Sequence, residues 1–317
     1  MESPEIIPKI LIVGAGAVGG FYGGKLSQAG AEVSVVCRSN YEAVRNRGIV
    51  IRSGTGDFEF KPKYVLRYSE EYPETPDYVI ITTKALPEIP LASIIKPVVK
   101  SETGIVLLQN GIDIEVSIAH EYPKHDLISV LAFIGVSQIE HGIIWHQDYG
   151  RVELGLYPKG ISKKTRVLLD LFSKAGIEAT VTETIMASRW KKLVWNAPFN
   201  PLSVLAGGVE THTLLSDPHT RELIKRVMTE VVALARHDGY ILPSEIIKKN
   251  IEVTEKMPSY KTSMLLDYEA RRPMEVEAIL GNAIKKAEQF GVPTPYLYAL
   301  YSLLKLVNQH FKKTLFF

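Results

Sequence analysis

The sequence predicts an α/β N-terminal half, a doubly wound and mainly parallel sheet, followed by an all-helical C-terminal half. Two observations carry this. Through about the first 180 residues, short β-branched runs alternate with amphipathic segments. From about Thr184 onward those runs disappear, and helical-period stretches follow, punctuated by Pro201, Gly207-Gly208, Pro218, Gly239, Pro243, Pro258, Pro273 and Pro293. The expected domains are therefore residues 1–183 and 184–317, consistent with 317 residues and ~150 per domain.

Strands are expected at Ile10–Val13, Glu32–Cys37, Tyr78–Thr82, Ile105–Leu108, Leu127–Ser137 and Ile177–Thr182. Between them, Val18–Gln28, Leu91–Lys100 and Lys163–Ala175 space apolar residues three and four apart, as helices packed on a sheet do. Gly48–Tyr64 and Gln138–Leu156 read as hairpins, because alternating residues are broken by Ser53-Gly54-Thr55-Gly56 and by His141-Gly142.

Composition narrows the function classes. With 46% hydrophobic and 23% charged residues the chain reads as globular. A formal charge of +2 is too small for the phosphate attraction that nucleic-acid binding requires. Cys37, the single cysteine, can form no internal disulfide and no multi-thiolate metal site. No stretch reaches the ~18 to 20 apolar residues of a membrane span. Met1–Glu5 carries two acids where a signal peptide would be basic, so a cytoplasmic location is expected. The eight histidines lack metal-ligand spacing, so no metal is expected, and His141 and His146 are placed on a hairpin surface. A Gly-x-Ser-x-Gly nucleophile motif is absent.

The strongest local signal is Lys9–Val13 running into Gly14-Ala15-Gly16-Ala17-Val18-Gly19 and then a helical segment. A strand leading through G-x-G-x-x-G into a helix lets the backbone approach a pyrophosphate at the free N–H groups of the helix start. A dinucleotide is expected there. The next strand ends Val36-Cys37-Arg38-Ser39-Asn40, without the carboxylate that holds the ribose hydroxyls of NAD. Arg38 can pair with a 2′-phosphate, which favours NADP; the alternative is a solvated strand end with Ser39 and Asn40 as turn residues. Lys84, in Thr82-Thr83-Lys84, and Asn110, in Gln109-Asn110-Gly111, follow later strands and so fall where such a sheet binds its ligand.

In the helical half, Lys192, Asn196 and Asn200 recur every four residues on one helical face, among Leu193, Val194, Trp195, Ala197 and Phe199. Buried, these polar groups need partners, which a polar substrate could supply. The alternative is a solvated stripe continuing the charge of Arg189 and Lys191. Pro198 is expected to kink this helix. Ser263 begins a further helix ending near Arg272, and a new one is expected from Pro273, placing Glu275 in its first turn.

In order and spacing, these features resemble the ketopantoate reductase (2-dehydropantoate 2-reductase) family over nearly the whole chain. They are Gly14–Gly19 with Arg38, Thr83-Lys84-Ala85, Gln109-Asn110-Gly111, Lys192-x-x-x-Asn196-x-x-x-Asn200-Pro201, and Ser263-Met264-Leu265 followed by Glu275. The resemblance implies an N-terminal Rossmann-type domain, a C-terminal helical domain, and NADPH-dependent reduction of a 2-oxo acid in pantothenate and coenzyme A synthesis. It further implies Lys192 as general acid and Glu275 as the carboxylate binding the substrate hydroxyl. Asn200 and Ser263 would contact substrate, and Lys84, Asn110 and Asn196 would line the cofactor and reaction cleft. Competing readings are a reductase of another branched 2-oxo acid and a non-catalytic NADP-sensing protein. A small-molecule 2-oxo acid is the expected partner, and a homodimer is left open.

Overall fold

The computed structural model describes residues 7–312; Met1–Glu5, read above for a leader, lie outside them. The chain divides into two compact units. The first comprises Met1–Lys84, Glu88–Gln109 and Glu115–Ile185, and the second Ala85–Pro87, Asn110–Ile114 and Met186–Phe317. Two short loops from the N-terminal half thus group with the helical unit.

In the first unit the strands are β1 (Lys9–Val13), β2 (Glu32–Val36), β3 (Ile49–Ser53), β4 (Phe58–Phe60), β5 (Val65–Leu66), β6 (Tyr78–Ile81), β7 (Gly104–Leu108), β8 (Leu127–Glu140), β9 (Ile143–Leu156) and β10 (Ala179–Val181). The helices are α1 (Ala17–Gln28), α2 (Tyr41–Arg47), α3 (Leu91–Ile95), α4 (Val116–Glu121) and α5 (Lys163–Lys174). The strands join one sheet in the order β4-β3-β9-β8-β7-β6-β1-β2-β5, with β10 also on β9. From β5 to β8 every pairing is parallel, the Rossmann arrangement, with the order reversing between β1 and β6. Ile10–Ile12 and Val79–Ile81 are buried, as central parallel strands covered on both faces must be.

Beyond β8 the sheet becomes mixed. β8 and β9 form a long antiparallel hairpin turning at His141-Gly142, where Gly142 has φ 78°. β8 runs past the expected Ser137 to Glu140, because β9 pairs with it along its length. The expected hairpin at Gly48–Tyr64 is β3 with β4, and β3 also pairs parallel with β9, Val50 against Ile143. α1 lies tight on this extension: a Cβ on Gly20 would stand 2.2 Å from Ile144 Cδ1. α5 starts after Ser162, whose side chain accepts from Thr165 N, and buries Leu168, Leu171 and Phe172. α3 stops at Ile95 rather than continuing to Lys100, since Pro97 supplies no N–H to extend it.

The second unit holds α6 (Ile185–Leu205), of which Ile185 itself groups with the first unit, α7 (Thr211–Ser216), α8 (Pro218–His237), α9 (Ile246–Lys256), α10 (Ser263–Glu269), α11 (Asn282–Phe290) and α12 (Pro295–Lys312). Its buried residues include Leu193, Val194, Ala197 and Phe199 of α6, Val227 and Val231 of α8, and Leu297 and Leu304 of α12. Pro198 and Pro201 lie inside α6, which runs 21 residues without ending at either. Burial of its apolar side chains offsets the two missing N–H donors.

α10 ends at Glu269, short of Arg272, and Arg271 takes φ 52°. The helix expected from Pro273 begins instead at Val276, with a π-helical turn, Glu277–Gly281, leading into α11. Before it, Met274 N donates to Asn308 of α12 at 2.9 Å, and Val276 N donates to Met274 O at 2.9 Å in a tight turn. No described helix is long and apolar enough to cross a membrane.

Candidate active site

The glycine loop sits where the strand order reverses, at the carboxyl ends of β1 and β6. Gly14 has φ 108°, and a Cβ there would lie 2.8 Å from Thr83 N. Gly14 N donates to Val36 O at 2.9 Å, and Thr82 Oγ1 donates to Gly14 O at 2.6 Å, so both neighbouring strands fix the loop. A Cβ on Gly16 would meet nothing within 4 Å, and no side chain caps α1. Open space over uncapped N–H groups is what a pyrophosphate requires. Ala15 is buried, Ala17 and Val18 are half-buried, and Gly19 packs on Gly14. The loop fits a dinucleotide.

Arg38 is exposed just past the carboxyl end of β2. Its neighbour Asn40 is more than a turn residue: it is buried, and its Nδ2 donates to Ala15 O at 2.8 Å. Nothing in the sequence pattern singles out this brace. Cys37, beside Arg38, is buried, and burial pushes its thiol up to about 11, which suits packing rather than nucleophilic attack. Lys84 is half-buried after β6, and Gln109 Nε2 donates to Thr83 O at 2.6 Å, tying the segments after β6 and β7 together.

In the second unit, Lys192, Asn196 and Asn200 share one face of α6, and the two asparagines are 8% and 2% exposed. That burial overturns the solvated-stripe alternative, and it extends to Arg189, at 1% exposure. Lys192 Nζ donates to Asn110 Oδ1 at 2.7 Å, uniting positions far apart in the sequence. Glu275 immediately precedes the helix that begins at Val276, and its Oε1 accepts from Ala85 N at 2.8 Å. The loop carrying Asn110 is seated on the turn that follows Glu275: Ile112 N donates to Ala278 O at 2.9 Å.

Ser263 is exposed at the start of α10, and Thr262 caps that helix by accepting from Leu265 N at 3.1 Å. Ser203 Oγ donates to Asn200 O at 2.8 Å and lies 2.7 Å from Thr262 Oγ1. With the Ser203 proton committed to Asn200, Thr262 donates to Ser203, so a directed chain links the turn carrying Asn200 to the start of α10.

The histidine expectation is corrected in part. His141 is exposed, but His146 is buried, its ring 4.4 Å from that of Phe21 and its Nδ1 2.8 Å from Ser53 Oγ. Its place on β9, in phase with buried Ile144, turns it inward. Among the described residues no group of three or more His, Cys, Asp or Glu could hold a metal ion.

Comparison with known proteins covers both halves of the chain. The family model described as Ketopantoate reductase PanE/ApbA matches residues 10–159, and its C-terminal counterpart matches residues 184–308. The chain belongs to the ketopantoate reductase family. A 2-dehydropantoate 2-reductase of Nostoc sp. is 37% identical over 305 residues, 95% of each chain. The crystal structure of 2-dehydropantoate 2-reductase from Methylococcus capsulatus superposes with TM-score 0.90 at 45% identity, covering 96% of this chain and 97% of its own. That of 2-dehydropantoate 2-reductase from Geobacter metallireducens gives TM-score 0.89 at 31% identity, with 94% and 99% covered. The ketopantoate reductase fold therefore extends over both units.

Proposed function

We propose that this ketopantoate reductase family member catalyses reduction of 2-dehydropantoate to pantoate with NADPH, a cytoplasmic step of pantothenate and coenzyme A synthesis. The observation that carries the reading is the Lys192–Asn110 hydrogen bond, 2.7 Å, in the same unit as the anchored carboxylate of Glu275. In this reading the first unit holds the dinucleotide and the second handles the 2-oxo acid.

The Gly14–Gly19 loop would receive the pyrophosphate, and Arg38 would pair with the 2′-phosphate. Lys84 and Asn110 would contribute to the cofactor side. When bound, reduced nicotinamide supplies a hydride to the ketone carbon. As that carbon is reduced, negative charge develops on its oxygen; the Lys192 ammonium stabilises the charge and then transfers its proton to the oxygen, becoming a neutral amine. Asn110 accepts one Lys192 N–H and so orients the ammonium. Glu275, fixed through Oε1 by the Ala85 amide, accepts a hydrogen bond from the new hydroxyl. Asn196, Asn200 and Ser263 supply amide and hydroxyl donors for the substrate carboxylate and hydroxyl groups.

The test is a panel of 2-oxo acids, 2-dehydropantoate among them, assayed with NADPH and with NADH by loss of nicotinamide absorbance. The expected result is highest kcat/KM for 2-dehydropantoate with NADPH. Preference for another branched 2-oxo acid would overturn the substrate, and binding of NADPH without reduction of any member would overturn the enzyme.

A further inference from the structure

Arg189 stands one turn before Lys192 on α6 and is almost wholly buried. Burying a guanidinium is costly unless it is hydrogen-bonded, so its partner matters. Its Nη1 donates to the carbonyl of Gly111 at 2.9 Å. Gly111 directly follows Asn110, whose amide oxygen accepts from Lys192. The same helix therefore grips this loop twice, once through the side chain of Asn110 and once through the next backbone carbonyl.

The rest of the loop has little room to shift. Gly111 has φ 110°, and a Cβ there would lie 2.6 Å from Ala278 O. Asn282 Nδ2 donates to Ile112 O at 2.8 Å, and Asp113 pairs with Lys286 at 3.1 Å. These contacts seat the loop against the π-helical turn and α11, whereas Arg189 references it to the helix bearing Lys192.

We propose that Arg189 is a positioning residue for the reaction: by holding the Gly111 carbonyl it sets the Asn110 amide against the Lys192 ammonium. The inference rests on the proposed role of Lys192 as proton donor. Displacing a catalytic group by ~1 Å costs on the order of 100-fold in rate, so the expected signature is a fall in kcat with little change in cofactor binding.

The experiment compares wild type, Arg189→Met, Arg189→Lys and Gly111→Ala, with Asn110→Ala and the Asn110→Ala/Arg189→Met double variant. Arg189→Met is expected to lower kcat on the order of 100-fold while the NADPH Kd, read by nicotinamide fluorescence, stays within about twofold. Arg189→Lys, which keeps the cation and one donor, should recover part of the loss. In the Asn110→Ala background Arg189→Met should add little, because both changes remove one arrangement. Amide hydrogen exchange should quicken over Asn110–Ile114 in Arg189→Lys and stay unchanged elsewhere.

A full additive loss in the double variant, or unaltered kcat and exchange in the single ones, would overturn the role. Should Arg189→Met fail to fold, Gly111→Ala decides: it leaves Arg189 in place but moves the carbonyl, and an unchanged kcat would overturn the proposal. A wild-type protein that reduces no 2-oxo acid would remove the proposed function and this role together, whereas active wild type with equally active variants would remove this role alone.

Discussion

Gly19 and Gly14 approach so closely that a Cβ on Gly19 would lie 2.2 Å from the Gly14 carbonyl oxygen. The same Cβ would stand 2.4 Å from Thr82 Oγ1, the group that donates to that carbonyl. Gly19→Ala therefore has to push the loop away from β6. The expected cost is ~1–3 kcal/mol of stability, as for an overpacked interior. NADPH affinity should fall as well, and a thermal melt with a fluorescence titration on the same sample reads both.

Lys192→Ala should cut turnover by ~10² or more and leave NADPH binding nearly unchanged, as loss of a proton donor does. Lys192→Arg should not restore it: a guanidinium keeps the charge but does not release its proton near neutral pH. Steady-state kcat together with a cofactor Kd separates the two effects. Turnover equal to wild type in Lys192→Ala would reject Lys192 as the acid.

Arg38→Ala is expected to weaken NADPH much more than NADH, since its pairing with the 2′-phosphate is lost and the glycine loop is untouched. Asn40→Ala should behave differently. Asn40 holds the Ala15 carbonyl rather than a phosphate, so both cofactors should weaken alike. Calorimetric titration with the two nucleotides distinguishes these patterns, and equal weakening in Arg38→Ala would show that Arg38 does not read the phosphate.

Glu74 sets an acid limb for stability. Hydrogen bonds from Lys63, at 2.5 Å, and Lys9, at 2.6 Å, lower its carboxyl from 4.5 to about 2. A folded-state value below the unfolded one means that the contribution is complete above about pH 4.5 and is lost as the pH falls through about 2. Glu74→Gln should flatten the decline of Tm in that window and leave the slope near neutrality unchanged. A decline identical to wild type would assign acid sensitivity to other carboxylates.

Much of the fold is legible because local periodicity and global pairing agree. The buried apolar runs Ile10–Val13 and Tyr78–Ile81 can serve only as covered strands, and the glycine loop marks the reversal between them. The β3–β9 pairing is not legible, since Val50 and Ile143 meet across the intervening β-α units and each segment alone reads as a hairpin.

At the site, the four-residue spacing reveals Asn196 and Asn200, and their burial follows from the apolar residues between them. Arg189 escapes notice because Arg189, Lys191 and Lys192 together look like a hydrated charge run. Its signal is the three-residue step to Lys192 beside buried Met186 and Trp190. Glu275 sits just outside the helix rather than in its first turn, at the middle of a tight turn closed by Val276 N on Met274 O, which a proline signal alone does not distinguish from a helix start.

The order of the sheet has a consequence for synthesis on the ribosome. β3 lies between β4 and β9, and its parallel partner, residues 143–146, emerges more than ninety residues after it. At ~5–20 residues per second the delay is roughly 5 to 20 s, during which nascent β3 can pair with β4 alone. A lone two-stranded hairpin is marginal in water. The glycine-loop strand can dock with β2 and β6, and β5 with β2, earlier, so the nascent chain would gather its nucleotide-binding strands before it completes the opposite side of the sheet.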